Sequence, residues 1–202
     1  MNKSLRTYSL VLIGIIASLM SCKKDEDTTP TTPATQTTST ACSNSFSFLH
    51  VGDSLTYDIV ILGTPYVATY TILSSPSLNV YKMQVMLSGT STPNIRYYQG
   101  CDGWLRNDTD AAVHDTLHYM KENRVMGDSW NYYDPEYDTY NQYTVAEKNV
   151  SVATAAGTFT CDKMLFYQQG TINTDTLWWS NAVGTIKYSG TLFDYVLTWK
   201  NF

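Results

Sequence analysis

The chain has little charge, little histidine and little cysteine. Of its 202 residues 15% are charged, three are His and four are Cys. The formal net charge is −5 at pH 7, so no basic stripe awaits a phosphate backbone, and nucleic acid is not an expected partner. No G-x-S-x-G elbow, no phosphate-cradling Gly-rich loop followed by Lys, and no G-x-G-x-x-G turn occurs. The linear marks of serine hydrolases, nucleotide triphosphatases and dinucleotide enzymes are therefore missing. No enzyme activity, catalytic residue, metal or cofactor is expected. After residue 21 no apolar run approaches the roughly 20 residues that a membrane-crossing helix needs. Convincing helical period is absent there too, and 109–121 is the one stretch that admits a short helix.

What is present begins with an address. Lys3 and Arg6 precede an apolar run of eleven positions, Leu10 to Met20, which suits the h-region of a secretion signal. Leu19-Met20-Ser21-Cys22 resembles the bacterial lipobox. That motif needs a small residue before the cysteine for the signal peptidase, and a thiol that can carry diacylglycerol through a thioether. We expect 1–21 to be a signal peptide and Cys22 to be the lipidated start of the mature chain, with the membrane as partner through that anchor. Lys23-Lys24-Asp25-Glu26-Asp27 resembles the Lys-then-acidic signal that sends lipoproteins of Bacteroidota to the cell surface. The expected location is the outer membrane, at the cell surface or facing the periplasm. Residues 22–44 continue as a Thr/Pro tract that cannot bury enough surface to offset ordering entropy, so they read as an extended tether.

Residues 45–202 read as one all-β domain. Leu55, Tyr57, Ile59 and Ile61 make one face of a strand apolar. Tyr81, Met83, Val85 and Leu87 do the same, as do Phe193, Tyr195, Leu197 and Trp199. This period marks half-buried antiparallel strands. Turn chemistry at 63–65, 74–77, 91–94, 102–103, 156–157 and 189–190 separates roughly ten to twelve of them, the spacing of a sandwich or barrel. Val51-Gly52-Asp53-Ser54-Leu55-Thr56-Tyr57 recurs as Met126-Gly127-Asp128-Ser129-Trp130-Asn131-Tyr132. Each copy is a Gly-Asp turn feeding a strand, and the echo suggests two similarly built halves.

These segments occur in order with C-D-G-W-L-R from Cys101, A-A-G-T-F-T-C-D-K-M from Ala155 and W-W-S-N-A-V-G-T-I-K-Y from Trp178. Together they resemble the TapB-like lipoprotein domain of Bacteroidota over nearly the whole domain. The chain departs from that pattern at Ala155, where Pro is usual, inside the shortened C-D-G step, and at Ala182, where Gly is usual. The resemblance implies an antiparallel half-barrel or barrel and no established activity. With Cys22 acylated, three thiols remain and one must be odd. An oxidising compartment favours pairing. The resembling family carries Cys at both 101 and 161, so a Cys101–Cys161 disulfide is expected, with a Cys42 pairing or no disulfide as the alternatives.

The stretch from Asp134 to Tyr143 joins three carboxylates to several tyrosines. Tyr132, Tyr133, Tyr137 and Tyr140, with Trp178 and Trp179, are the candidate ligand surface. Of the two tryptophans, one should face the core and one the outside. A calcium loop would want Gly where Thr139 stands. His114 and His118 share a face with the spacing of a zinc-protease motif, but Asp115 stands where that motif has Glu. The expected function is a cell-envelope lipoprotein whose β domain binds an apolar or glycan-like ligand. The alternatives are a structural or assembly component that contacts another envelope protein, and a metal-dependent hydrolase built on the His114/His118 region.

Overall fold

The alternating runs form a single antiparallel meander. In the computed structural model the described residues are 46–113, 118–134, 138–171 and 174–202. The signal region, Cys22, Cys42, His114 and Tyr137 lie outside them. The strands are β1 (Ser54–Ile61), β2 (Thr64–Ser77), β3 (Val80–Leu87), β4 (Asn94–Cys101), β5 (Trp104–Asp108), β6 (His118–Lys121), β7 (Ser129–Asp134), β8 (Thr139–Thr154), β9 (Gly157–Gln168), β10 (Thr174–Ser180), β11 (Gly184–Ser189) and β12 (Phe193–Lys200). The described residues contain no helix: of the stretch 109–121, 109–113 form bends and irregular backbone and 118–121 form β6, while 114–117 lie outside the described residues.

The sheet order is β6-β5-β4-β3-β2-β1-β12-β11-β10-β9-β8-β7. Each strand pairs with its chain neighbours except at β6 and β7, and the β1–β12 pairing joins the two ends of the domain. The result is a nearly closed barrel-like sheet whose seam lies in the middle of the chain. Side chains bridge that seam, where two unpaired edges would otherwise be exposed. Trp130 Nε1 donates to the Tyr119 carbonyl at 3.3 Å. The Tyr119 and Tyr132 rings meet edge to face at 5.3 Å, and Asn107 Nδ2 donates to the Tyr132 hydroxyl at 3.4 Å.

The sequence echo is a structural one. It opens β1 and β7, the first strands of two six-stranded halves. Gly52 N donates to Ile72 O at 2.9 Å and Gly127 N to Val145 O at 2.9 Å. The carboxylate of Asp53 accepts from His50 N at 3.1 Å, as that of Asp128 accepts from Val125 N at 3.0 Å. Ser54 Oγ donates to Tyr70 O at 3.1 Å, and Ser129 Oγ to Tyr143 O at 3.0 Å. Each serine also meets a threonine hydroxyl, Thr71 or Thr144, at 3.1 Å. Both glycines have positive φ, +97° and +87°, a region that other residues enter at a steric cost.

Inside the barrel lie two apolar clusters. One gathers Ile72, Met83, Leu105, Met120, Val145, Met164, Leu177 and Trp179 with a run of aromatics. The other gathers Leu55, Tyr57, Ile59, Ala68, Cys161, Val183, Ile186 and Leu197. The segment just before β1 belongs to the first: Phe46, Phe48 and Leu49 are 1%, 4% and 0% exposed. Phe48 packs within 3.4 Å of where a Cβ on Gly184 would stand, so the glycine makes room for the ring.

Two sequence expectations give way. Ser74 to Ser77 was expected to be a turn, but β2 runs through it with two register shifts. Ser75 Oγ donates to Val80 O at 2.9 Å, and the turn falls at Leu78-Asn79 instead. Bulged pairing tolerates Pro76, which has no N–H to give. Trp199 was expected to share the inward face of Tyr195 and Leu197. The pairing passes from Thr56↔Trp199 to Tyr57↔Leu197, so Thr198 is an extra residue. That bulge shifts Trp199 by one face, and it is 50% exposed.

Candidate functional site: the outer face of β7 to β10

Period-two alternation leaves one face of β7–β10 outside the barrel, and the register arranges it in rows. Asn131, Gln142, Tyr167 and Thr174 lie opposite one another across the four strands. Ser129, Thr144, Leu165 and Thr176 form the next row. Beyond Asn131 and Gln142 stand Tyr133 and Tyr140, paired across β7 and β8 with rings 5.1 Å apart. A shallow groove of about 290 Å³ runs here, lined by Asn131, Tyr140, Asn141, Gln142, Tyr167 and Gln169. Tyr140 and Tyr167 are 57% and 40% exposed. Among the described residues no charged side chain lines the groove. Two exposed phenol rings beside three exposed amides offer flat apolar faces together with both donors and acceptors. Such a surface can stack a sugar ring and bond its hydroxyls.

The candidate tyrosines and tryptophans separate by strand parity. Tyr140 lies in the groove. Tyr133 is half-buried beside it, and its hydroxyl donates to Asp138 Oδ1 at 2.8 Å. That bond, with the nearby carboxylate charge, pushes its pKa above the usual tyrosine range. Tyr132 is not on a ligand surface: it faces the core and is 2% exposed. Trp179, 3% exposed, is likewise core, with Nε1 donating to Asn181 Oδ1 at 3.1 Å. Trp178 takes the opposite face, where Lys187 Nζ lies 5.0 Å from the centre of its ring. A charged row, Glu147–Lys163–Trp178–Lys187, thus borders the uncharged ones. Sequence reading missed Tyr167, Asn131, Gln142 and Gln169. Their alternation was visible, but only the register puts them beside Tyr140.

A second polar group clamps the connection between β6 and β7. Arg124, its side chain 2% exposed, donates through Nε and Nη2 to Asp162 Oδ2 at 3.0 and 2.9 Å. It also reaches Asn181 Oδ1 at 2.9 Å and the carbonyl of Lys121. Lys148 Nζ donates to Asp162 at 2.8 Å and to Arg124 O at 2.9 Å. Burial pulls the Arg124 pKa down, and the Asp162 charge opposes that pull. These bonds hold the seam loop onto β8, β9 and the β10–β11 turn.

The Cys101–Cys161 disulfide is not formed. Cys161 is a free, buried thiol, 1% exposed in the second apolar cluster, whereas Cys101 is disulfide-bonded. The β9 residues 159–161 serve packing, with Phe159 and Val152 around the thiol's cluster. His118 stacks on Trp104, with ring centroids 4.5 Å apart and planes 12° from parallel. Among the described residues no three His, Cys, Asp or Glu side chains converge as a metal site would require.

No family model matches the chain, and no curated protein matches it. Among solved structures, the chain is similar to a presumed lipoprotein from Parabacteroides distasonis, with 15% identity and a TM-score of 0.47. The match covers 79% of this chain and 99% of that one. At those values the likeness carries no functional information.

Proposed function

We propose that the protein is an exported lipoprotein of the TapB-like kind, anchored through Cys22 in the outer membrane at the cell surface or facing the periplasm. Its β domain is a non-enzymatic module that binds an uncharged glycan on the outer face of β7–β9. The observation that carries this reading is the groove in which Tyr140 and Tyr167 flank Asn131, Gln142 and Gln169. Its polarity favours a glycan over the apolar ligand that the sequence left open. Affinity electrophoresis through gels containing xylan, mannan, soluble cellulose or starch tests it. At least one polymer retards the protein, and Tyr140→Ala and Tyr167→Ala each weaken retardation about tenfold, roughly 1.4 kcal/mol, without lowering the melting midpoint. Equal mobility in every gel, or unchanged retardation of both variants, overturns it.

A second reading, contact with another envelope protein, has one observation in its favour. Val51, Val125 and Met126, in the turns that start β1 and β7, are 57%, 61% and 72% exposed. β1 and β7 run in the same direction around the meander, so these side chains share one rim. Crosslinking from that rim in intact cells, lost when the three are changed to Ser, supports it; absence of any crosslinked species counts against it.

A further inference from the structure

The interior of the barrel is not filled. Between the two apolar clusters lies a cavity of about 120 Å³. Phe48, Leu55, Met83, Trp179 and Val183 make one wall, and Tyr57, Tyr70, Tyr98, Tyr119 and Tyr195 make the other. The apolar wall is buried, whereas Tyr70, Tyr98, Tyr119 and Tyr195 are only half-buried.

The hydroxyls on that wall are unequally committed. Tyr57 donates to the Thr185 carbonyl at 2.9 Å. The hydroxyls of Tyr98 and Tyr195 have no hydrogen-bond partner among the described residues, though both rings pack edge to face on neighbouring tyrosines. A phenolic hydroxyl that faces a cavity without a protein partner can donate to, or accept from, a guest. Among the described residues no charged side chain lines the space. A cavity of about 150 Å³ with apolar walls accepts benzene, and a water needs only about 10–15 Å³. At about 120 Å³ the space is somewhat smaller than that cavity but of the same order, so the guest it suits is one small ring at close fit, not a lipid chain or an oligosaccharide.

We propose that this cavity is a binding site for one small, uncharged ring-sized molecule bearing a hydroxyl or carbonyl oxygen, its ring against Phe48, Met83 and Trp179 and its oxygen bonded by Tyr98 and Tyr195. A carboxylate or an ammonium is excluded, because no counter-charge faces the space and desolvation goes uncompensated. Burial holds Tyr57, Tyr98, Tyr119 and Tyr195 above the usual tyrosine pKa, so all four are protonated donors at neutral pH. This site is separate from the outer groove and stands or falls independently of it.

Phenol and benzene serve as probes. The mature chain carrying Cys22→Ser is labelled with ¹³C at the methionine methyls, and the Met83 methyl reports entry. Phenol shifts that signal saturably, at least tenfold more tightly than benzene. The double variant Y98F/Y195F keeps its melting midpoint and loses the preference. Val183→Phe fills the space and abolishes both responses. If that variant does not fold, the isosteric double variant decides alone. A Met83 signal that phenol leaves unmoved up to its solubility, or a preference for phenol that survives in Y98F/Y195F, overturns the proposal. So does a phenol-soaked crystal that shows only water in the cavity.

Discussion

At the scale of single residues, burial decides what Cys161 and Asp162 do. Cys161 is held among apolar side chains, and burial, with the neighbouring Asp162 charge, pushes its thiol up to about 11. The thiolate is the reactive form, so the native protein at pH 8 resists iodoacetamide at Cys161, and unfolding in urea makes labelling rapid. Labelling at equal rates before and after urea contradicts this placement. If Cys22 carries lipid through a thioether, Cys101 has Cys42 as its available partner. Non-reducing peptide mapping then finds 42 joined to 101; a 101–161 peptide argues against the described core. Asp162 is the shared acceptor for Arg124 and Lys148. Asp162→Ala strands a buried guanidinium, and the expected loss is about 3–5 kcal/mol in urea unfolding. Lys163→Ala breaks only the pair with Glu147, whose side chain is 53% exposed, and costs under about 1 kcal/mol. Equal losses for the two would show that Arg124 finds another partner.

At the scale of elements, the two G-D-S turns are the same device used twice. Each serine ties the start of a strand to the hairpin partner by a hydroxyl bond to backbone and a second to threonine. Ser54→Ala and Ser129→Ala should therefore destabilise by similar amounts, about 1 kcal/mol each, as read from chemical denaturation. A several-fold difference would mean that the shared geometry carries different loads in the two halves. The aromatic segment before β1 acts on a different element. Phe48 enters the barrel beside Gly184, and Phe48→Ala opens a void there at an expected cost of about 3–5 kcal/mol. A melting midpoint unchanged by Phe48→Ala would place the start of the folded domain after residue 49.

At the scale of the whole molecule, tyrosine sets the response to pH. Tyr57, Tyr98, Tyr119, Tyr132, Tyr143, Tyr188 and Tyr195 all have pKa values raised above 10, chiefly by burial. Above pH 10 the unfolded chain gives up phenolic protons that the folded chain retains, so it binds fewer protons and stability falls as pH rises. Below pH 10 both states are protonated, and this contribution is fully present. The melting midpoint should hold steady between pH 7 and 9 and drop steeply beyond 10, with tyrosinate absorbance rising together with unfolding. Tyrosinate that appears in full while the β-sheet signal persists would place these hydroxyls in solvent.

The all-β class and the approximate number of strands were legible in the sequence, because alternation is a local property and each strand carries its own. So was the echo of G-D-S, since a tight turn with positive φ selects glycine and a capping carboxylate from the residues beside it. Tertiary structure decided what depends on pairing. The bulge at Thr198 sends Trp199 outward against its own period, and register alone brings Tyr140, Gln142 and Tyr167 together. The β1–β12 pairing places the seam between β6 and β7, so Tyr132 closes the barrel instead of facing a ligand. Cys101 and Cys161 were expected to pair because the resembling family carries Cys at both places, but disulfide bonding needs proximity in space, and the fold gives Cys161 to the core.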